Sequence, residues 1–277
     1  MDGAPIGVFD SGIGGLTVLK ALIAELPGER FVYLGDTARL PYGTKTGETV
    51  ARYSLQAAQA LLGLGVKCLV IACNTASAAG LKSIRERVSP LPVIGVIEPG
   101  AEAACRATRC GRIAVLATER TVSDGAYQRA ILQRRPQALV DARAAQLFVA
   151  LAEEGLTAGP IAEAVARHYL EDLFAPPGAG GVASVADTVV LGCTHFPVLG
   201  AAIRSVVGPD VRIVDSAQTT ARAARAELEA SGLCASRGHR ALPVQFLATD
   251  GTERFARVGS RFLGRTILPD EVQLIDL

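Results

Sequence analysis

Residues 68–75 read CLVIACNT, and residues 188–195 read TVVLGCTH. In each segment a short apolar run is followed by a cysteine and two polar residues. A continuous apolar run of this length is typical of a strand buried on both faces, as in a parallel sheet covered by helices. We therefore expect two buried strands whose carboxyl ends carry Cys73 and Cys193.

Similar apolar runs recur along the chain and alternate with longer helix-like stretches. Two such stretches are residues 46–64 and 159–174, where Ala and Leu recur at helical spacing. This alternation predicts an α/β fold with doubly wound, mainly parallel sheets. The other apolar runs cover residues 6–9, 31–34, 93–97, 113–117 and 211–214.

The two cysteine segments belong to a weak internal repeat. Residues 6–10 resemble residues 113–118, and residues 93–99 resemble residues 211–216. Because three pairs of segments keep the same order and nearly the same spacing, we predict two similar domains. We expect a pseudo-twofold axis to relate them and the active site to lie in the cleft between them.

The acid-ended runs 93–98 and 211–215 are natural crossing points between the two domains. We expect a first domain of residues 1–97 plus 214–277 and a second domain of residues 98–213. The Pro99–Gly100 pair would mark the first crossing. The sequence APPGAGG at residues 175–181 predicts a surface loop inside the second domain.

Composition excludes several classes of protein. Of the 277 residues, 49% are hydrophobic and 20% are charged, which argues against intrinsic disorder. The 28 basic and 27 acidic residues are not segregated, so nucleic-acid or membrane-surface binding has no electrostatic support. Without a signal-peptide pattern or a bilayer-length apolar stretch, we expect a soluble cytoplasmic protein.

The six cysteines do not form C-x-x-C pairs, and the chain has only three histidines, so we expect no metal site. Cys68, Cys105, Cys110 and Cys234 are interpreted as small buried hydrophobic residues. Cys73 and Cys193 differ because they follow strands, where doubly wound folds bind ligands.

Cys73 precedes a helix start, and a thiol at a helix N-terminus has a lowered pKa and neighbouring amides that can hold a carboxylate. Cys193 is placed similarly, although Pro197 and Gly200 weaken its helix signal. One thiol from each half suits the inversion of a stereocentre, because one group removes a proton and the other delivers one to the opposite face.

Two further residues stand beside these thiols in the predicted fold. The first strand ends on DSGIGG at residues 10–15, which is a weak signal for a phosphate loop and a better one for a tight strand-to-helix turn. Asp10, at the strand tip, could exchange a proton with Cys73. His195 could serve Cys193 in the same way, although a lone histidine is often structural.

Five longer motifs resemble the bacterial glutamate racemases. They are FDSGIGGLTVL at residues 9–19, GDTARLPYG at 35–43, IACNTAS at 71–77, GVIEPG at 95–100 and LGCTHFP at 191–197. The resemblance runs from about residue 6 to residue 220. It implies a racemase that interconverts L- and D-glutamate without metal or pyridoxal cofactor and supplies D-glutamate for peptidoglycan.

The resemblance also implies roles for individual residues. It makes Cys73 and Cys193 the two acid/base groups, with Asp10 and His195 assisting proton transfer. It implies a homodimer. Some glutamate racemases bind DNA gyrase, so gyrase binding stays open as a further possibility, although no long acidic or disordered extension supports it here. The implied substrate contacts are Asp10, Ser11, Tyr42, Gly43, Asn74, Thr75, Thr118, Thr121, Glu153, Thr194 and His195.

The chain departs from the family pattern at two places in the second half. Arg120 stands where the family usually has glycine, and residues 144–150, AAQLFVA, lack a common cysteine–proline pair. Two other activities stay open. The first is a related racemase, decarboxylase or isomerase acting on aspartate or another small dicarboxylate, and the second is a cysteine hydrolase with His195 as base.

Overall fold

The computed structural model describes residues 3–174, 185–235 and 244–277. The loop expected at residues 175–181 therefore lies outside the described residues. Within those ranges, no helix is both long enough and apolar enough to cross a membrane.

The first half of the chain alternates strands and helices strictly. Every residue of its four strands is buried, as the continuous apolar runs predict. The elements are β1 Ile6–Asp10, α1 Leu16–Glu25, β2 Phe31–Gly35, α2 Gly47–Gly63, β3 Cys68–Ile71, α3 Asn74–Val88, β4 Val93–Gly95 and α4 Ile97–Ala107.

The rest of the chain repeats this pattern and then returns to the first sheet. The second-half elements are β5 Arg112–Ala117, α5 Glu119–Asp124, α6 Ala126–Arg134, β6 Leu139–Ala144, α7 Gln146–Glu154, α8 Pro160–Phe174, β7 Thr188–Gly192, α9 Gly200–Val207 and β8 Arg212–Asp215. The last elements are α10 Ser216–Ala230, β9 Gln245–Ala248, α11 Thr252–Leu263 and β10 Val272–Leu274.

The strands form two sheets, and all pairs within them are parallel. The first sheet has the order β10-β9-β2-β1-β3-β4, and the second has the order β6-β5-β7-β8. Thus β1 to β4 and β5 to β8 are arranged in the same way, with β1 and β5 in equivalent places. This confirms the α/β fold with parallel sheets and explains the repeat, because each similar pair of segments occupies equivalent strands.

One apolar core connects the two sheets. It includes Val70 and Val96 from the first half, Val115 and Leu191 from the second, and Ala217 from α10. The helix α10 packs against α1 and α4, so it bridges the point at which the chain passes back from the second sheet. The carboxyl ends of both sheets are thereby held at one cleft.

Two local expectations differ from the structure. Residues 93–98 do not form an acid-ended strand, because β4 ends at Gly95 and Glu98 lies in the first turn of α4. There the carboxylate faces the positive end of the helix dipole and pairs with Arg134 at 2.6 Å. Among the cysteines interpreted as buried, Cys68 is buried but Cys110 is exposed, because it lies in the turn before β5; Cys105 and Cys234 are half-buried.

Candidate active site

A cavity of about 290 Å³ lies between the carboxyl ends of the two sheets. It contains most of the residues singled out from the sequence, while Asp10 and Thr121 are buried outside its lining. The sequence-predicted residues that line it are Ser11, Tyr42, Gly43, Cys73, Asn74, Thr75, Thr118, Glu153, Cys193, Thr194 and His195. Residues not predicted there are Leu40, Pro41, Gln146, Val149 and Ala150.

Three of the unpredicted lining residues carry a sequence signal. Gln146, Val149, Ala150 and Glu153 follow the i, i+3, i+4, i+7 spacing of one helix face, and α7 places that face against the cavity. Of these four residues the sequence analysis identifies only Glu153, although the helical spacing also indicates the other three.

Cys73 is the N-cap residue of α3, a helix of 15 residues. Its sulfur accepts a hydrogen bond from the backbone N–H of Ala76 at 3.4 Å and lies 3.5 Å from Ser11 Oγ. Burial, and then the negative charge of Asp10, raise the pKa of the Cys73 thiol to about 12, although these hydrogen bonds oppose the shift. The helix N-terminus therefore does not lower this pKa overall.

Asp10 lies at the end of β1 and is fully buried. Its Oδ2 accepts a hydrogen bond from the backbone N–H of Gly12 at 3.0 Å, while Oδ1 is buried without a hydrogen-bond partner among the described residues. Burial raises the pKa of Asp10 above its usual value, against the attraction of His195. This carboxyl group is therefore electrostatically linked to both Cys73 and His195.

Cys193 follows β7 and precedes a four-residue 3-10 helix, Phe196–Leu199, rather than a long α-helix. Its sulfur lies 3.8 Å from His195 Nδ1, and His195 Nε2 lies 3.1 Å from Glu153 Oε1. Although burial opposes it, hydrogen bonding to Cys193 and Glu153 raises the pKa of His195 to about 10. Cys193 therefore faces an imidazolium near neutral pH.

Glu153 completes this chain of contacts. Hydrogen bonding to His195 lowers its pKa against the effect of burial, and the charges of His195 and Arg254 act in the same direction. Arg254 Nη2 lies 2.8 Å from Glu153 Oε2. Sequence reasoning missed Arg254, which lies beyond the stretch that resembles a known family.

Hydroxyl groups from both halves meet at one wall of the cavity. Thr75 Oγ1 lies 2.9 Å from Thr118 Oγ1 and 3.2 Å from Thr121 Oγ1, and the two second-half oxygens are 3.0 Å apart. Nearby, the Tyr127 hydroxyl donates to Asn74 Oδ1 at 2.7 Å, and Asn74 Nδ2 is buried with no partner in the described part of the chain. This wall offers both donors and acceptors to a ligand.

The glycine-rich turn after β1 lets the second half approach the first. A Cβ at Gly14 would lie 2.5 Å from His195 Nδ1 and 2.5 Å from Thr194 Oγ1. Three residues later, at the start of α1, the Thr17 hydroxyl donates a hydrogen bond to the Thr194 carbonyl oxygen at 3.0 Å. The turn is filled by the protein's own side chains, which supports the tight-turn interpretation over that of a phosphate loop.

Tyr42 also lines the cavity, and residues outside the cavity hold its hydroxyl group in place. Its hydroxyl donates to Asp36 Oδ2, which also accepts from Arg39 Nε at 2.7 Å. Within residues 3–174, 185–235 and 244–277, no group of three or more His, Cys, Asp or Glu side chains is arranged to hold a metal ion.

The chain matches a model of the Asp/Glu/hydantoin racemase family over residues 6–224. A glutamate racemase of Geobacter metallireducens is 48% identical over 94% of this chain and 92% of its own length. The structure of a glutamate racemase from Thermus thermophilus is 43% identical, with a TM-score of 0.86, and covers 100% of this chain and 98% of its own. One from Francisella tularensis, in complex with D-glutamate, is 33% identical, with a TM-score of 0.88 and coverage of 100% and 98%.

Proposed function

The chain belongs to the Asp/Glu/hydantoin racemase family and, within it, to the glutamate racemases, and from this premise we propose how its own residues perform the reaction. It interconverts L- and D-glutamate as an isomerase of the cofactor-independent type and supplies D-glutamate for peptidoglycan. The observation that carries the mechanism is that Cys73 and Cys193 follow equivalent strands of two sheets and line one cavity.

The reaction moves one proton on each face of Cα. A thiolate on one wall removes the Cα proton, and the electron pair is delocalised into the adjacent carboxylate, so Cα becomes planar. The thiol on the other wall then delivers its proton to the opposite face and becomes the thiolate. The reverse reaction exchanges the two roles, which is why each half must supply one thiol.

The surroundings of the thiols suit these roles. With its pKa near 12, Cys73 is a proton donor at neutral pH until a cation comes close. The α-ammonium group of an amino acid is such a cation, and it would lower the pKa of the thiol that it approaches. Cys193 has its own neighbouring acid/base group in His195, whose Nδ1 lies 3.8 Å from the sulfur and can exchange a proton with it.

The polar walls supply the substrate contacts. Asn74 Nδ2 and the backbone amides at the start of α3 can bind a carboxylate, while Ser11, Thr75 and Thr118 can bind the ammonium group or a carboxylate. We place Tyr42, Gly43, Thr194 and His195 around the same ligand, with Asp10 behind Cys73 and Thr121 behind Thr118. In this scheme Glu153 acts on the substrate only through His195.

Single substitutions of the two thiols test the mechanism. Cys73→Ala and Cys193→Ala should each lower the rate of racemisation by roughly 10²–10⁴-fold or more, since each removes an acid/base group. Cys110→Ala, at an exposed cysteine, is the matched control and should leave the rate unchanged. Racemisation of either active-site variant at near wild-type rate would overturn the two-base mechanism.

Solvent exchange distinguishes the alternatives. In D₂O the wild-type enzyme should incorporate one deuterium at Cα of glutamate as optical activity is lost. A cysteine hydrolase would instead accumulate a thioester on one cysteine and tolerate loss of the other. Parallel reactions with L-aspartate test the substrate, and inversion of aspartate alone would rule out glutamate.

The assembly and location of the enzyme are further parts of this proposal. We propose that residues 1–97 plus 214–277 and residues 98–213 form the two domains that enclose the substrate. We also propose a homodimer in the cytoplasm. The six cysteines are all free thiols, which suits a reducing compartment, and sedimentation measurements would test the dimer.

A further inference from the structure

Two arginines of α11 contact Glu153 near the end of α7. The helix α11 packs against α1 and β10, beside the first sheet, whereas α7 belongs to the second half. Arg254 Nη2 contacts the Glu153 carboxylate at 2.8 Å, and Arg261 Nη1 donates to the Glu153 backbone carbonyl at 3.2 Å. Both contacts cross between the halves and end on one residue.

The Glu153 carboxylate has one cationic partner on each oxygen. Oε1 faces His195 Nε2 at 3.1 Å, and Oε2 faces Arg254 at 2.8 Å. A carboxylate held at both oxygens cannot rotate without losing a charge-assisted hydrogen bond. Its Oε1 therefore stays aimed at His195, and the Nδ1 side of the ring stays aimed at Cys193.

We propose that Arg254 is a positioning residue for the Cys193 side of racemisation, holding Glu153 so that His195 remains oriented toward Cys193. This inference rests on the proposed two-thiol mechanism. Arg254 does not line the cavity, so it acts through Glu153 and His195 and does not touch the substrate. Groups that orient a histidine from behind commonly determine which ring nitrogen faces the reacting partner.

The solvent exposure of Arg254 and Glu153 limits the loss of activity expected when their contact is removed. The Arg254 side chain is 48% exposed and that of Glu153 is 17% exposed, so solvent screens part of their attraction. We expect Arg254→Gln to lower kcat on the order of fivefold. The KM for glutamate should stay unchanged, because no substrate contact is lost. Arg254→Lys keeps the charge and should recover most of the rate.

Arg261→Gln is the matched control. It lies on the same helix and removes a contact to the same residue, but that contact ends on the backbone carbonyl and leaves the carboxylate intact. It should leave kcat unchanged, and thermal unfolding should show both variants folded. If the two glutamine variants lose the same activity, Arg254 has only a structural role and the proposal fails.

Kinetic isotope effects give the sharper measurement. Slower proton transfer at Cys193 should raise the Cα-deuterium effect for the enantiomer that Cys193 deprotonates. It should lower the effect for the other enantiomer, whose Cα–D bond is broken by Cys73. In Arg254→Gln we expect this opposite movement, whereas equal changes for both enantiomers would overturn the inference.

A double-mutant cycle tests the route through Glu153. If Arg254 acts through that carboxylate, Arg254→Gln should cost nothing further in a Glu153→Gln background. Additive losses would overturn the inference while leaving the two-thiol mechanism intact. Failure of wild-type enzyme to incorporate solvent deuterium at Cα would instead overturn the mechanism itself.

Discussion

The two cysteine walls share a place in the fold but differ in what surrounds the sulfur. Cys73 caps a 15-residue helix and is contacted by a backbone N–H and the Ser11 hydroxyl, with the buried Asp10 nearby. Cys193 precedes one short 3-10 helix and faces His195, Glu153 and Arg254 in series. A repeated scaffold thus positions two similar thiols, while the side chains that contact each sulfur differ between the two halves.

After loss of a thiol itself, the largest losses of kcat should come from replacing the acid/base neighbour of each thiol. His195→Asn and Asp10→Asn should each lower kcat on the order of a hundredfold, because each thiol loses a group that assists its proton transfer. The Cα-deuterium isotope effects should then move in opposite senses in the two variants when L- and D-glutamate are compared. If both variants shift the isotope effects in the same sense, the division between the two walls is wrong.

A smaller loss of activity and stability is expected from a substitution at Gly14, where the first half of the chain contacts the second. Gly14→Ala places a methyl group 2.5 Å from His195 and Thr194, so it must push the Cys193 wall away from the first half. Overpacking of this kind costs roughly 1–3 kcal/mol, to be measured by urea unfolding together with a fall in kcat. Gly200→Ala is the control, because its Cβ would have no neighbour within 4 Å. Equal behaviour of the two variants would show that the close approach is unimportant.

The smallest effect should appear in the pH dependence of stability. Because the pKa of His195 is raised from 6.5 to about 10 in the folded protein, its pairing contributes fully below pH 6.5 and is lost as the pH rises through 10. Glu153→Gln removes the anionic partner, so its free energy of unfolding should fall below wild type at pH 6.5. The difference should shrink as the pH rises toward 10 and then level off at the part contributed by the Arg254–Glu153 ion pair, since arginine stays charged there. Urea titrations across this range measure it, and a constant difference would contradict the assignment of charge to the pair.

The fold could be predicted from the sequence because its signals are local. Each buried parallel strand is a continuous apolar run, and the repeat placed Cys73 and Cys193 on equivalent strands. The contacts that link the two halves were not predictable in this way. These contacts join residues that are far apart in sequence, and the spacing of residues along one helix or strand does not indicate them. Examples are the pairs Gly14 and His195, Tyr127 and Asn74, and Arg254 and Glu153. The expectation that Glu98 ends a strand was wrong because a polar residue after an apolar run is typical both of a strand end and of the first turn of a helix.

The ring of three threonine hydroxyls at the cavity wall determines which groups of a ligand can bind there without breaking a hydrogen bond. Thr75, Thr118 and Thr121 carry three hydroxyl protons, and their oxygens form three mutual contacts. When every contact is a hydrogen bond, no proton remains to point into the cavity and only lone pairs face it. An ammonium group can then bind without rearrangement, whereas a carboxylate must first break one link of the ring. The closed ring thereby distinguishes the two ends of an amino acid, because it leaves acceptors free for the ammonium group but no hydroxyl proton free for the carboxylate.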